Sequence, residues 1–245
     1  MYEVVCEQYE KIFPISNAMC GLVQRYLNCN SVVLDIGCAT GELLYKNSAL
    51  MKIGIGIDPD VSLIARAGII HRRPNLSFLR GDMNTLESSF KTMNDEVVSE
   101  FDLVTITGNT LVHLQSPHGL RFFLDRLKKI LKNGSRILIQ ILNYDRILAE
   151  KPQMLPDIRS ENYIFERTYN YRDKLIDFHI RLLDRDHNRI SESVTTIYPL
   201  IYDEIIEMLS LAGFTTDTVM GDLNDRPFIK DKSELLILSS SYIGY

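Results

Sequence analysis

The chain has 245 residues, of which 45% are hydrophobic and 24% are charged, a composition typical of a folded globular protein. Its net charge of −5 at pH 7 argues against a protein that works mainly on nucleic-acid phosphates. The N-terminal residues lack the basic start and apolar run of a signal peptide, and no apolar stretch reaches the roughly 20 residues of a membrane span. These features predict a cytoplasmic protein that does not enter a membrane.

The four cysteines fall in the first 38 residues, and no two of them form a Cys-x-x-Cys motif. Such spacing predicts neither a metal site nor a redox pair, so we expect reduced thiols. The residues are Cys6, Cys20, Cys29 and Cys38.

Short apolar stretches alternate with helical patterns through the first 142 residues. Ser116 and Pro117 begin the clearest helix, because Ser is a good N-cap and Pro suits the first turn, and Gly134 is expected to end it. Alternation of strands and helices predicts parallel strands joined by helical crossovers. The predicted strands cover residues 31–36, 52–58, 76–80, 101–107 and 136–142.

The pattern changes after residue 142. Residues 162–198 alternate between apolar and polar side chains, which predicts two or three antiparallel strands inserted after the fifth strand. A helix over 201–212, ended by Gly213, and two strands over 214–220 and 234–240 complete the pattern. The fold class is therefore α/β, with a doubly wound, mainly parallel sheet.

The most informative segment joins the first strand to the first crossover helix. It contains Asp35, Gly37 and Gly41, so its glycines follow G-x-x-x-G and not the G-x-G-x-x-G of dinucleotide sites. Glycines let the backbone approach a ligand closely. An acid at Asp35 would repel a pyrophosphate but suits an ammonium or sulfonium group. The segment thus argues against a nicotinamide-dependent oxidoreductase and favours S-adenosylmethionine (SAM).

Three further signals follow the next strands. Asp58 ends the second strand, where a carboxylate can accept both ribose hydroxyls. Asp82 and Met83 follow the third strand, where they suit an adenine amino group and its ring. Thr107, Gly108 and Asn109 lie at the C-terminal end of the fourth strand, with His113 shortly after. We expect all of these at the carboxyl edge of the sheet, where open α/β sheets bind ligands.

Together these motifs resemble those of class I SAM-dependent methyltransferases, over nearly the whole chain. The resemblance implies a seven-stranded Rossmann-like sheet with strand order 3-2-1-4-5-7-6. It also implies that an N-terminal segment around Tyr9 covers the cofactor, and that Cys38 packs near it. The implied SAM-binding residues are Tyr9, Asp35, Gly37, Cys38, Ala39, Thr40, Gly41, Asp58, Pro59, Asp82, Met83, Thr107, Gly108 and Asn109.

Downstream motifs are similar to those of the glycine N-methyltransferase group. They are Asn143-Tyr-Asp, Tyr198-Pro199 before a helix, and Gly221-Asp222 with Arg226-Pro227. In that group an arginine directly before the Asn-Tyr-Asp holds the amino-acid carboxylate. This chain has Leu142 there, so the resemblance implies a small-molecule acceptor but does not identify it as glycine.

The functional hypothesis is N-methylation of a small molecule by in-line methyl transfer, without a metal. Asn143, Tyr144 and Tyr198 are expected to orient the acceptor, and His113 is a candidate base. The alternatives are O- or C-methylation, and a SAM-binding protein without catalysis. We expect one domain over 1–245, with a helical cover at 1–30 and an antiparallel substrate flap at 143–198. A homo-oligomer is possible.

Overall fold

The computed structural model describes residues 6–86, 88, 90–92 and 94–243. Residues 1–5 of the predicted cover and 244–245 of the predicted domain therefore lie outside the described residues. The α-helices are α1 (Tyr9–Ile12), α2 (Asn17–Gln24), α3 (Glu42–Asn47), α4 (Val61–Ile70), α5 (Pro117–Leu127), α6 (Tyr144–Glu150) and α7 (Tyr202–Leu211). The strands are β1 (Val32–Ile36), β2 (Ile53–Asp58), β3 (Leu76–Arg80), β4 (Phe90–Lys91), β5 (Val97–Val98), β6 (Phe101–Ile106), β7 (Leu131–Leu142), β8 (Met154–Arg159), β9 (Tyr163–Arg172), β10 (Leu175–Asp184), β11 (Arg189–Ile197), β12 (Phe214–Met220) and β13 (Leu235–Tyr242).

Seven strands form the central sheet in the order β12-β13-β7-β6-β1-β2-β3. Neighbours from β7 to β3 pair in parallel, whereas β13 pairs antiparallel with both β7 and β12. Numbered along the sheet's own chain order, this is 3-2-1-4-5-7-6, so the predicted topology is confirmed. β1 lies inside the sheet between β6 and β2 and is buried along its whole length, as its mainly apolar side chains require.

Helix α5 shows how the sequence builds the layers around this sheet. The Ser116 hydroxyl accepts a hydrogen bond from the Gly119 amide at 3.0 Å, and Pro117 takes the first turn. Four apolar side chains at helical spacing are fully buried on the inner face, and each contributes about 1.5–3 kcal/mol. They are Leu120, Phe123, Leu124 and Leu127.

The predicted end of this helix is wrong. Helix α5 ends at Leu127, and Gly134 lies inside β7. Gly134 has φ +80°, and the pairing of β6 with β7 changes register beside it. The glycine therefore permits an irregularity in a longer fifth strand and does not cap the helix.

A second sheet has four antiparallel strands in the order β11-β10-β9-β8. The alternating pattern predicted two or three strands, and β8 is the one it did not include. Strand β8 contains Pro156 and lies at the edge of the sheet, where a missing amide hydrogen is tolerated. The predicted flap starts at residue 143, but its first turns form α6, so its strands begin only at Met154.

One face of this second sheet is covered by the rest of the protein, and we call it the inner face. It carries Phe165, Arg167, Tyr169 and Tyr171 of β9 opposite alternate residues of β10. Part of the inner face packs with Ile12 and Phe13 of the N-terminal segment, through Phe165. Another part, around Tyr169, joins the main core that also contains Tyr144.

Candidate functional site

The loop after β1 is a tight backbone turn between β1 and α3. Gly37 and Gly41 have φ of +76° and +79°, and Ala39 between them has φ +49°. A Cβ on Gly37 would collide with the Thr110 side chain, and one on Gly41 would collide with the Phe78 ring. The two glycines are therefore required both by backbone conformation and by close packing. The first contact places this loop directly beside the loop after β6.

Asp35 is a buried acid beneath this loop. The Thr105 hydroxyl donates a hydrogen bond to its Oδ1 at 2.6 Å. Burial raises the pKa of Asp35 to about 7, since the Thr105 hydrogen bond only partly offsets the loss of solvation and the Asp58 carboxylate adds to the shift. A carboxyl group poised in this way favours a nearby cation over a phosphate.

Asp58 ends β2 and faces the same loop. Its Oδ2 accepts a hydrogen bond from the Ala39 amide at 3.0 Å, and its Oδ1 accepts one from the Asp60 amide at 2.9 Å. Burial raises its pKa, and these two amide donors oppose that shift. Both carboxylate oxygens are thus fixed in place, and each keeps lone pairs for further donors such as two ribose hydroxyls. Pro59 beside it is exposed.

The loops after β3 and β6 complete this edge. Asp82 Oδ1 accepts from the amides of Asn84 and Thr85 at 2.7 and 2.8 Å, so Asp82 stabilises its own turn, while Met83 is buried. After β6, Thr107 leads into Gly108 and Asn109, both with positive φ. Gly108 donates its amide hydrogen to Gln140 Oε1 at 2.9 Å, which fixes this loop to β7.

The thiol of Cys38 packs against Gly56 of β2, inside the same loop. Burial raises the pKa of Cys38 well above its usual value. The side chain is therefore a protonated group packed against the sheet, and its place near a cofactor stays a prediction.

The N-terminal segment reaches this loop through a contact that the sequence analysis missed. Glu10 Oε1 accepts a hydrogen bond from the Thr40 hydroxyl at 2.9 Å and lies 3.5 Å from His71 Nε2. His71 Nδ1 lies 2.7 Å from the Thr40 carbonyl oxygen, which can only accept, so Nδ1 carries the proton. Tyr9 lies in the same short helix and packs with Phe13. Helix α1 is thereby held against the glycine-rich loop.

Asn109 links the cofactor edge to the predicted acceptor residues. Its Nδ2 donates to the Tyr144 hydroxyl at 2.8 Å, and its Oδ1 accepts from the Leu142 amide at 3.1 Å. Tyr144 is fully buried, and burial raises its pKa well above the usual value. Its hydroxyl accepts from Asn109, and the Tyr169 hydroxyl lies beside it.

Asn143 and Tyr198 use their polar groups within the fold. Asn143 Nδ2 donates to the carbonyls of Lys230 and Ser233, both at 2.8 Å, and its Oδ1 caps α6. The Tyr198 hydroxyl donates to Glu204 Oε1 at 2.8 Å, and desolvation together with Glu204 raises the pKa of Tyr198 to about 12. Both residues therefore hold neighbouring segments in position.

His113 follows the loop after β6 and is exposed. Desolvation by the surrounding protein nevertheless lowers its pKa. Its imidazole is therefore neutral near pH 7 and able to accept a proton.

The inner face of the second sheet carries two polar residues that the sequence analysis did not single out, Arg167 and Tyr169. From Phe165 to Tyr171 every second side chain is aromatic except Arg167. A charged side chain among these aromatic positions was the sequence signal for a polar group on the inner face. Tyr169 and Tyr171 also line a cavity of about 480 Å³ beside the second half of β9, together with residues of the opposite face.

Within the described residues, no group of three or more His, Cys, Asp or Glu side chains is arranged to hold a metal ion. No helix in the described part of the chain is long and apolar enough to cross a membrane.

Comparison with known proteins adds a family match and several distant relatives. A family model described as a methyltransferase domain matches residues 27–187. A glycine/sarcosine N-methyltransferase of Aphanothece halophytica is 24% identical over 198 residues, which cover 79% of this chain and 69% of that protein. A protein of Geobacillus sp. (strain WCH70) whose name refers to methyltransferases is 26% identical over 111 residues. That match covers 44% of this chain and spans less than half, 41%, of the Geobacillus protein.

Solved structures share the fold at low identity. A SAM-dependent methyltransferase from Clostridium acetobutylicum superposes with a TM-score of 0.79 at 15% identity, covering 99% of both chains. A SAM-bound amino pentose methyltransferase from Micromonospora echinaspora gives 0.68 at 17% identity, over 96% of this chain and 95% of that one. A sugar N-methyltransferase from Streptoalloteichus gives 0.69 at 14% identity, over 100% of this chain and 93% of that one.

Proposed function

Because the chain belongs to the methyltransferase-domain family of SAM-dependent enzymes, we propose that it methylates the nitrogen of a small-molecule amine. The observation that carries the proposal is the contact between Gly37 and Thr110. It sets the glycine-rich loop beside the Asn109–Tyr144 pair, so a cofactor on one loop and an acceptor at the other would meet at one edge of the sheet. The names of two relatives, which refer to N-methylation, support nitrogen as the acceptor atom.

The residues present fit SAM. Asp58 offers two oriented carboxylate oxygens for ribose hydroxyls, and Asp35 offers a buried carboxyl for the ammonium group. Because Gly37 and Gly41 lack Cβ atoms, the glycine-rich loop packs directly against Thr110 and Phe78, at the edge where the cofactor would bind. SAM, when bound, supplies a methyl carbon on a sulfonium that leaves as a neutral sulfide.

The chain's own contribution to the chemistry is positional. Holding a nucleophile in line at about 3–3.5 Å from an electrophilic carbon can lower a barrier by several kcal/mol. The Tyr144 hydroxyl, held by Asn109, would orient the acceptor group by a hydrogen bond. Methyl transfer to a neutral amine gives an ammonium group, which must lose one proton to become the product amine. Neutral His113 would accept that proton. Helix α1 and the second sheet would shield the cofactor and the acceptor from water.

The proposal is tested by following SAM consumption with matched amine, alcohol and thiol probes of equal carbon skeleton. The expected product is one methyl group heavier and carries it on nitrogen, as identified by NMR. His113→Gln is expected to lower kcat about tenfold or more and to remove the acidic limb of the pH profile, since general bases contribute on this scale. His118→Gln, an exposed histidine on α5, is the control and keeps the wild-type profile.

Methylation of the alcohol or thiol in preference to the amine would assign a different acceptor atom. Tight SAM binding without turnover of any probe would favour the non-catalytic alternative.

A further inference from the structure

The inner face of the second sheet carries unsatisfied polar groups. Within the described residues, four buried side-chain polar atoms lack a hydrogen-bond partner, and two of the four are Arg167 Nε and the Tyr169 hydroxyl. These two residues are two positions apart on β9 and so point to the same face, about 7 Å apart along the strand. Buried polar groups without partners are rare and costly, so two together need an explanation.

Arg167 also lacks a counter-ion among the described residues. Its Nη2 donates to the Pro156 carbonyl at 2.6 Å, which anchors one end of the guanidinium to β8. The carboxylate that acts on it electrostatically, Asp157, forms its ion pair with Arg159 at 2.9 Å. Burial lowers the pKa of Arg167, although its guanidinium stays charged at any working pH. A half-buried cation without a partner attracts an anion strongly.

The position of Arg167 connects it to the proposed reaction edge. On its own strand it stands between Phe165, which packs on the N-terminal segment, and Tyr169, which joins the core around Tyr144. It therefore lies at the junction between the two apolar contacts that cover the inner face. Tyr169 lies beside Tyr144, and Tyr144 accepts from Asn109, so polar groups extend from Arg167 to the end of β6.

We infer that Arg167 and Tyr169 bind a carboxylate of the methyl acceptor, which is therefore an amine that also carries a carboxylate. This inference rests on the proposed function and specifies its substrate class. A guanidinium presents two parallel N–H donors that match the two oxygens of a carboxylate. Arg167 is the one cationic residue on the inner face of β8 to β11, strands that are described throughout, so it neutralises a single negative charge. A phosphate, with nearly two charges, would be left half compensated.

The test uses a ladder of small acceptors and their uncharged partners. The probes are glycine, β-alanine and 4-aminobutanoate, each paired with its carboxamide, in a SAM-consumption assay. Wild type is expected to prefer at least one acid over its amide by about tenfold or more in kcat/KM, since a charge-assisted bidentate pair contributes on this scale. Arg167→Gln abolishes that preference, chiefly by raising KM for the acid, and Arg167→Lys restores part of it.

Two readouts separate binding from a merely structural role. Arg181 lies on the opposite face of the same sheet and pairs with Glu166 at 3.0 Å, so Arg181→Gln keeps the wild-type preference. In ¹⁵N-labelled protein loaded with S-adenosylhomocysteine, the Nε–H resonance of Arg167 shifts on adding the preferred acid and not its amide. The melting temperature of Arg167→Gln stays within about 2 °C of wild type, because the substitution also removes an unpartnered buried donor.

Equal use of acids and amides by wild type, or an unchanged preference in Arg167→Gln, would overturn the inference. Failure of all the acids as acceptors, in protein that binds S-adenosylhomocysteine, would overturn it too and leave cofactor use standing. Absence of S-adenosylhomocysteine binding would instead contradict the proposed function itself.

Discussion

The two sides of the proposed reaction edge, one for the cofactor and one for the acceptor, satisfy their polar groups in opposite ways. On the cofactor side, Asp35, Asp58 and Thr40 each have a hydrogen-bond partner at 2.6–3.0 Å. On the acceptor side, Arg167 Nε and the Tyr169 hydroxyl are buried and unpartnered among the described residues. The cofactor side is therefore preorganised by the protein itself, whereas the acceptor side leaves donors open for the ligand to satisfy. This difference is expected if the cofactor is common to the whole family and the acceptor is specific to this protein.

The largest expected effect on the cofactor side comes from Asp35, because burial of its carboxyl group lowers the free energy of unfolding by an amount that depends on pH. Its folded-state pKa is about 7 and its unfolded value is near 3.8. Between these values the folded state keeps a proton that the unfolded state has lost, so the free energy of unfolding falls as pH rises and levels off above pH 7. We expect wild type to lose about 3 kcal/mol relative to Asp35→Asn between pH 5 and pH 8. Urea denaturation of both proteins at the two pH values measures this, and parallel pH dependence would contradict it.

Gly37→Ala tests whether the close approach of the two loops is essential. The new Cβ meets Thr110, and φ of +76° is strained for alanine, so we expect S-adenosylhomocysteine binding to weaken about a hundredfold or more. Gly134→Ala is the matched control, since Gly134 has φ +80° but open space around it. It should cost about 1 kcal/mol of stability and leave binding unchanged. Equal loss of binding in both variants would attribute the effect to backbone strain alone.

Glu10→Gln tests the smaller contribution of the N-terminal segment. The amide keeps the shape of the side chain but removes the charge that faces Thr40 and His71. We expect the Kd for S-adenosylhomocysteine to rise about three- to tenfold, in line with one hydrogen bond to a charged group. Glu7→Gln, on an exposed residue one turn earlier, should leave the Kd unchanged. A Glu10→Gln protein with wild-type affinity would show that this segment does not support the cofactor site.

The sequence predicted the strands and turns of the cofactor side well because their signals are local. Strand, turn and helix follow each other within about ten residues at Asp35–Gly41, and the predicted strand order is the one observed. The hydrogen bond between Thr40 and Glu10 joins residues 30 positions apart, so no local sequence pattern predicts it. Gly134 shows the converse error, in which a typical helix-ending residue serves a strand irregularity set by pairing with β6.

The acceptor side was harder to predict because it depends on register. Which face Arg167 occupies follows from the pairing of β9 with β10, and alternation alone leaves the covered face undefined. The predicted role of Asn143 rests on its place in a motif, and the motif gave no sign that both of its amide protons are donated to the 230–233 loop. Side-chain partners of this kind are set by tertiary contacts.

The central claim is that Asp58 serves the cofactor and Arg167 serves the acceptor. Titration calorimetry with S-adenosylhomocysteine on wild type, Asp58→Asn and Arg167→Gln tests it most directly. Asp58→Asn should weaken binding about thirtyfold or more, because it removes the charge that would hold two ribose hydroxyls. Arg167→Gln should bind within about twofold of wild type, since its side chain serves the acceptor. Wild-type affinity in Asp58→Asn, or an equal loss in both variants, would contradict the account.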